Sequence, residues 1–318
     1  MNTCAVEAAK PWAVEAKPVR TFAELRERAR QVGPRRVGVV QAEDDVALTA
    51  AAHALVAGIA TPVLIGNRER IRARVKALGL RELGEEAEVV DTEEAAATAV
   101  RLVREGHVDM LLKGHLRTDE LLHPILDREN GLRTGRLLAD VAFFEHHTPE
   151  GPRLVGVSDG ALNVAPTLEK KRQIIEGAID VLHSLGVERP RIAVMSAVEV
   201  VSDAIPSTID ARELAEIGAH GAFGDAEVFG PLALDNALLE WAARAKGIDH
   251  PVAGHADCLI VPNIEAGNLL VKALLFLAGW ESGHVAAGAR APILIPSRVE
   301  TAQDKVNAIA LGVLYAAR

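Results

Sequence analysis

Between residues 36 and 112 the chain sets four short apolar runs apart with stretches of helical spacing, and this alternation constrains the fold more than any other feature. The runs are 36–40, 62–66, 88–90 and 108–112, and the helical stretches cover 44–60, 67–78 and a segment beginning near Thr92. Parallel strands cannot be joined by a tight turn. A crossover of about a dozen residues, usually a helix, is needed, so the pattern predicts right-handed βαβ units and a parallel sheet. Aromatic residues are only 3% of the chain, so Ala, Val, Leu and Ile must fill the core, as they do in strands buried on both faces.

The alternation restarts after residues 145–152, His-rich and then turn-rich through Pro149, Gly151 and Pro152, which read as a linker. Strands are expected at 153–157, 191–195, 226–229, 258–261 and 292–295. Helices are expected at 167–185, 208–218, 235–246, 265–279 and 301–317. Thr21 is placed to cap a first helix before Phe22, and residues 1–18 lack a stable period and read as a flexible extension. Periodicity alone leaves open which half of the molecule holds the last strand and helix.

A chain of 318 residues is long enough for two domains. Its formal net charge of −9 opposes non-specific binding to nucleic acid, which needs a basic face. Two cysteines, Cys4 and Cys258, do not make a disulfide framework. The N-terminus shows no apolar core of signal-peptide length, and no run approaches a membrane span, so the expected location is the cytoplasm. The G-x-x-x-x-G-K-[ST], H-E-x-x-H, Cys-x-x-Cys and G-x-S-x-G patterns are missing, and the glycines of 218–224 have the wrong spacing for a dinucleotide fingerprint.

Four polar segments follow predicted strands, at the ends where open α/β sheets gather ligands. They are Lys113–Thr118, Ser158–Asn163, Pro262–Asn268 and Pro296–Arg298, the last leading toward Glu300 and Asp304. Ser297 and Arg298 stand between a strand and a helix, where free N–H groups favour an anion and a guanidinium fork suits phosphate. The plainer reading makes Ser297 a helix cap, Arg298 a surface ion-pair partner and Asp304 a solvated helix residue. Gly114, Gly160 and Gly267 admit a close ligand approach or a simple turn.

Five fragments taken in order resemble the phosphate acetyl/butyryltransferase family. They are Lys113-Gly114 with Thr118, Asp159-Gly160-Ala161-Leu162-Asn163, Gly230-Pro231-Leu232-Ala233-Leu234-Asp235, Pro262-Asn263-Ile264-Glu265-Ala266-Gly267-Asn268 and Ser297-Arg298. The likeness runs from about residue 35 to the C-terminus. It implies two α/β/α domains with mainly parallel sheets, like isocitrate and isopropylmalate dehydrogenases, with the active site in the interdomain cleft. Residues 19–147 plus 286–318 would form domain I and 148–285 domain II.

The resemblance implies reversible transfer of a short acyl group between coenzyme A and inorganic phosphate in a direct ternary complex. Coenzyme A, acyl phosphate and phosphate would be substrates. No permanently bound cofactor, metal, nucleic acid or membrane is expected, and the family usually forms homodimers. Ser297 and Arg298 match the reaction centre, and Asp304 has the spacing of the proposed base for the thiol. Butyryltransferases place an acid closer to Ser-Arg, where this chain has Glu300. Lys113, Thr118, Asp159, Asn163, Glu265 and Asn268 are the expected substrate-binding residues. Acetyltransferases carry an arginine where this chain has His123, so no arginine contact is assigned there and the acyl preference stays open. Two alternatives remain: an NAD(P)-dependent oxidoreductase on the same fold, and a non-catalytic acyl-CoA-binding homologue.

Overall fold

The computed structural model describes residues 17–318, so Cys4 and most of the N-terminal extension lie outside the described residues. The Thr21 hydroxyl accepts the Glu24 N–H at 3.1 Å and opens α1 (Phe22–Val32). Then follow β1 (Arg35–Val40), α2 (Asp45–Val56), β2 (Ala60–Gly66), α3 (Arg68–Ala77), α4 (Arg81–Glu86), β3 (Glu88–Asp91), α5 (Ala95–Arg104), β4 (Met110–Lys113) and α6 (Thr118–Ile125). The middle of the chain forms β5 (Ala139–Thr148), β6 (Gly151–Ser158), α7 (Leu168–Ser184), β7 (Arg191–Met195), α8 (Pro206–Ala219), β8 (Glu227–Leu232), α9 (Leu234–Leu238) and α10 (Glu240–Ala245). After β9 (Cys258–Ile260), α11 (Ile264–Lys272) runs into one π-helical turn, Ala273–Leu277. The chain ends with β10 (Ser282–Ala287), β11 (Ile293–Leu294) and α12 (Ala302–Ala316).

The eleven strands of the described residues form one sheet, in the order β3-β2-β1-β4-β11-β10-β5-β6-β9-β7-β8. The strands from β3 to β11 are mutually parallel, and so are those from β6 to β8. The antiparallel pairs β11–β10, β10–β5 and β5–β6 join the two groups. The predicted α/β fold with a mainly parallel sheet is therefore present. The last strand pairs with β4, Ile293 opposite Leu111, which resolves the ambiguity left by periodicity.

Residues 145–152 are not a linker in coil. They are the closed end of the β5–β6 hairpin, with Thr148 paired to Gly151. Polar composition misleads here because the hairpin tip extends past the core. The two other central strands were not foreseen either. In β5 an apolar run continues straight into the polar Glu145, His146 and His147, and β10 is built mostly from small residues rather than a β-branched run.

Strand alternation divides the sheet into unlike faces. On one face Val39, Met110, Val141, Phe143, Val285 and Ile260 belong to a continuous core that also takes in α1, α2, α7, α8 and α12. On the other face the apolar cover is split. Leu111, Ala286 and Ile293 pack with α5 and α6, whereas Ala142, Phe144, Val157 and Leu259 pack with α9 and α11. The gap between these two covers is the cleft that holds the site. One backbone crossing sets its width: a Cβ on Gly160 would lie 2.9 Å from the Gly267 carbonyl carbon, so the loop after β6 touches the start of α11 directly.

Candidate active site

The cleft has a volume of about 500 Å³. Asp140 on β5 and His284 on β10 form its floor, and Lys113 enters from the end of β4. Leu116 and Thr118 line one wall, with Asn268, Val271 and Leu275 opposite, and the turn Ser297–Glu300 closes the end. Asp140, His284 and Lys113 share a face because residues two apart on neighbouring strands point the same way. His284 is opposite Ala142 in the β10–β5 pairing, which sets it diagonally beside Asp140.

An imidazole stands between two carboxylates on this floor. His284 Nδ1 and Asp140 Oδ2 are 3.0 Å apart, and Nε2 lies 3.6 Å from Glu300 Oε1. Burial alone would favour the neutral ring, but the Glu300 and Asp140 charges outweigh it and hold the histidine up at about 9. The ring is thus an imidazolium at neutral pH. Glu300 is 4% exposed, and its Oε1 also accepts the Ser297 N–H at 2.7 Å. Glu300 Oε2, His284 Nε2 and Asp140 Oδ1 are buried with no hydrogen-bond partner among the described residues. Buried polar atoms without partners are costly, so three in one cleft mark a place built for a polar ligand.

Positive charge faces this group. Lys113 is 4% exposed, and burial, with Lys305 and Arg298 nearby, pulls its amine down to about 8. Burial also lowers the Lys305 amine, against the Glu300, Asp44 and Asp304 carboxylates, and Lys305 Nζ donates to the Ser297 carbonyl at 3.2 Å. Arg298 is exposed at the cleft mouth. The arrangement suits a dianionic group held by cations beside a carboxylate with one open oxygen.

A family profile described as "Phosphate acetyl/butaryl transferase" matches residues 85–313. The chain belongs to this phosphate acetyl/butyryltransferase family. It is 41% identical over 293 residues to a phosphate acetyltransferase of Rhizobium meliloti, covering 91% of this chain and 92% of that protein. It is 39% identical over 302 residues to a phosphate butyryltransferase of Clostridium beijerinckii, covering 94% and 99%. Among solved structures, a branched-chain phosphotransacylase from Enterococcus faecalis V583 superposes with a TM-score of 0.76 at 28% identity, covering 89% of this chain and 99% of that one.

Of the residues that the family motifs single out, Lys113, Thr118, Asn268, Ser297, Arg298 and Glu300 line the cleft together. The helix does not open at Ser297. Its N-cap is Thr301, and Ser297 and Arg298 occupy the turn before it. Asp304 does not line the cleft: Oδ2 accepts the Thr301 N–H at 2.9 Å and its hydroxyl at 2.6 Å, and Oδ1 accepts the Ser282 N–H at 2.8 Å. Both its oxygens are occupied in capping α12 and tying it to β10.

Asp159 is buried and holds its own loop, accepting the Ala161 and Leu162 N–H groups and the Asn163 amide at 2.8, 2.9 and 2.6 Å. Burial and the neighbouring Asp140 raise its carboxyl despite those bonds. The Asn163 amide also donates to the Leu138 carbonyl at 3.0 Å, and Glu265 is exposed in the first turn of α11. Gly160 and Gly267 meet each other backbone to backbone, and Gly160 also lines the cleft. Sequence reasoning missed Asp140 and His284. Their signal was a single titratable side chain inside an otherwise apolar or small-residue run.

Proposed function

We propose that the cleft catalyses acyl-CoA + phosphate = acyl phosphate + CoA for a short acyl group, with Glu300 as the base. One observation carries the reading: a buried carboxylate with an open oxygen shares a small cleft with Lys113, Arg298 and Ser297. Both curated relatives bear acyltransferase names, and none of this favours a dehydrogenase or an inactive binding protein.

A thiol with a reference pKa of about 8.5 is mostly protonated at neutral pH, so it needs a base. In the direction of acyl-CoA synthesis the S–H proton passes to Glu300 Oε2 and the sulfur electron pair attacks the acyl carbon. The C–O bond to phosphate then breaks, and its electron pair leaves on phosphate. Arg298 and Lys113 hold the phosphoryl oxygens and offset that charge. The Ser297 hydroxyl donates to the carbonyl oxygen as the tetrahedral state forms, a contribution of about 2–4 kcal/mol when well aligned. Leu116, Val271, Leu275 and Ile295 offer the apolar wall an acyl chain needs.

No enzyme nucleophile is required. Cys258 is fully buried in the core, and burial pushes its thiol up, which supports direct transfer within a ternary complex. Asp304, Asp159 and Asn163 act as positioning residues, and Thr118 and Asn268 contact substrate. Residues 19–147 plus 286–318 make one domain and 148–285 the other, a division that the split apolar cover supports. A cytoplasmic homodimer is part of the same proposal. Exposed Leu269, Phe276 and Leu277 on and after α11 offer it an apolar face, and light scattering tests it. Among the described residues no helix is long and apolar enough to cross a membrane.

The deciding experiment mixes purified protein, coenzyme A and a series of acyl phosphates and follows thioester absorbance. Turnover is expected with acetyl, propionyl or butyryl phosphate, and no turnover with any of them rejects the proposal.

A further inference from the structure

We propose that His284, clamped by Asp140, is a positioning residue that sets an imidazolium against Glu300 and presents the free oxygen of that carboxylate to the reacting thiol. This rests on Glu300 being the base, and it adds two residues that no sequence motif assigned.

The geometry carries the argument. β10 and β5 are neighbours at the antiparallel centre of the sheet, so the two side chains are fixed by strand pairing rather than by a loop. The Nδ1–H of His284 donates to Asp140 Oδ2 at 3.0 Å, which fixes the ring and turns Nε2 toward Glu300. The two oxygens of Glu300 are thereby distinguished. Oε1 is held by the Ser297 N–H at 2.7 Å and faces the ring at 3.6 Å, while Oε2 has no partner. A buried carboxylate is driven toward its neutral form, and an adjacent fixed cation opposes that drive.

Charged groups come from every element around the ring, and those that act on it directly are Glu300, Asp140 and Asp304. Asp140 and Asp159 come from β5 and the loop after β6, Glu300 and Arg298 from the turn after β11, and Asp304 and Lys305 from α12. Lys113 reaches in from β4 and Lys272 from α11. The carboxylates keep the imidazole charged to about pH 9, so it keeps its proton while Glu300 accepts and returns one.

The test is the pH profile of kcat/KM for wild type, His284→Gln and Glu300→Gln. In His284→Gln the acidic limb should move up by about one to two pH units, the size expected for losing an opposite charge at this range. Its plateau rate should recover more than the rate at low pH. A uniform loss with an unmoved limb would overturn the proposal, because a merely structural histidine behaves that way. Full activity in Glu300→Gln would sink the base assignment itself. An inactive Glu300→Gln with an unmoved limb in His284→Gln would sink only the present inference. Should His284→Gln fail to fold, the wild-type protein still decides. Nitrogen NMR of the His284 ring at pH 7.5 should show both nitrogens protonated, and a neutral ring would refute the clamp.

Discussion

Replacing Lys113 by methionine should make the unliganded protein more stable at neutral pH while damaging its activity. Lys113 is 4% exposed, and its amine has Lys305 and Arg298 as neighbours and is pulled from 10.5 to about 8. Each pH unit between those values corresponds to about 1.4 kcal/mol, so keeping the ammonium charged in the unliganded protein costs roughly 3 kcal/mol. Methionine keeps much of the apolar stem and removes the charge. The cost is present in full below pH 8, where both folded and unfolded chains carry the proton. As pH rises from 8 to 10.5 the folded protein releases that proton first and the cost disappears.

Denaturant unfolding of wild type and Lys113→Met at pH 7 and near pH 10 measures this directly. The variant should be more stable by about 1–3 kcal/mol at pH 7, with the gap closing at high pH. Saturating phosphate should stabilise wild type more than the variant, since binding supplies the missing anion. A variant destabilised equally at both pH values would refute the reasoning and make Lys113 a structural residue. The expected pattern is the trade-off of a binding site that stores unfavourable charge until its ligand arrives.

Glu300→Gln should lower kcat about 10²–10⁴-fold with unfolding little changed, read from initial rates alongside a melting curve. Asp304→Asn should instead cost about 1–2 kcal/mol in chemical denaturation, because a helix cap and a bond to Ser282 are disturbed, while losing less activity per folded molecule than Glu300→Gln. Arg298→Ala should raise KM for phosphate and lower kcat/KM without lowering Tm, since the side chain is exposed at the cleft mouth. Gly160→Ala should destabilise by about 1–3 kcal/mol in the same denaturation assay, because the new methyl meets the Gly267 backbone, which cannot step aside as a flexible side chain would.

The parallel halves were legible because each strand there is followed by a helix, so periodicity changes from two to 3.6 at every boundary. At the antiparallel centre β6 was expected, but β5 and β10 were not. β5, the hairpin tip and β6 succeed one another without a helix between them, and the polar tip around Pro149 looks like any loop. The site divides in the same way. Ser297 and Arg298 stand out because they lie between a strand and a helix, and Lys113 because it ends a strand. Asp140 and His284 come from the interiors of the two unforeseen strands, so nothing local placed them together. The spacing that drew attention to Asp304 has a local explanation as well: Thr301-Ala302-Gln303-Asp304 is a capping-box pattern, and the structure forms that box.

The capping box also explains how one short turn can serve both stability and chemistry. Through Oδ1 and Oδ2, Asp304 joins the N–H of Ser282 on β10 to Thr301 at the start of α12. Ser282 is two residues from His284, and Thr301 directly follows Glu300. A single carboxylate therefore fixes the spacing between the strand that carries the imidazole and the turn that carries the proposed base. Had Asp304 been the proton acceptor, each turnover would discharge the group that keeps this spacing and loosen the helix start with it. Assigning the proton to Glu300, whose Oε2 has no structural bond to lose, lets the site cycle between protonation states while its frame stays fixed.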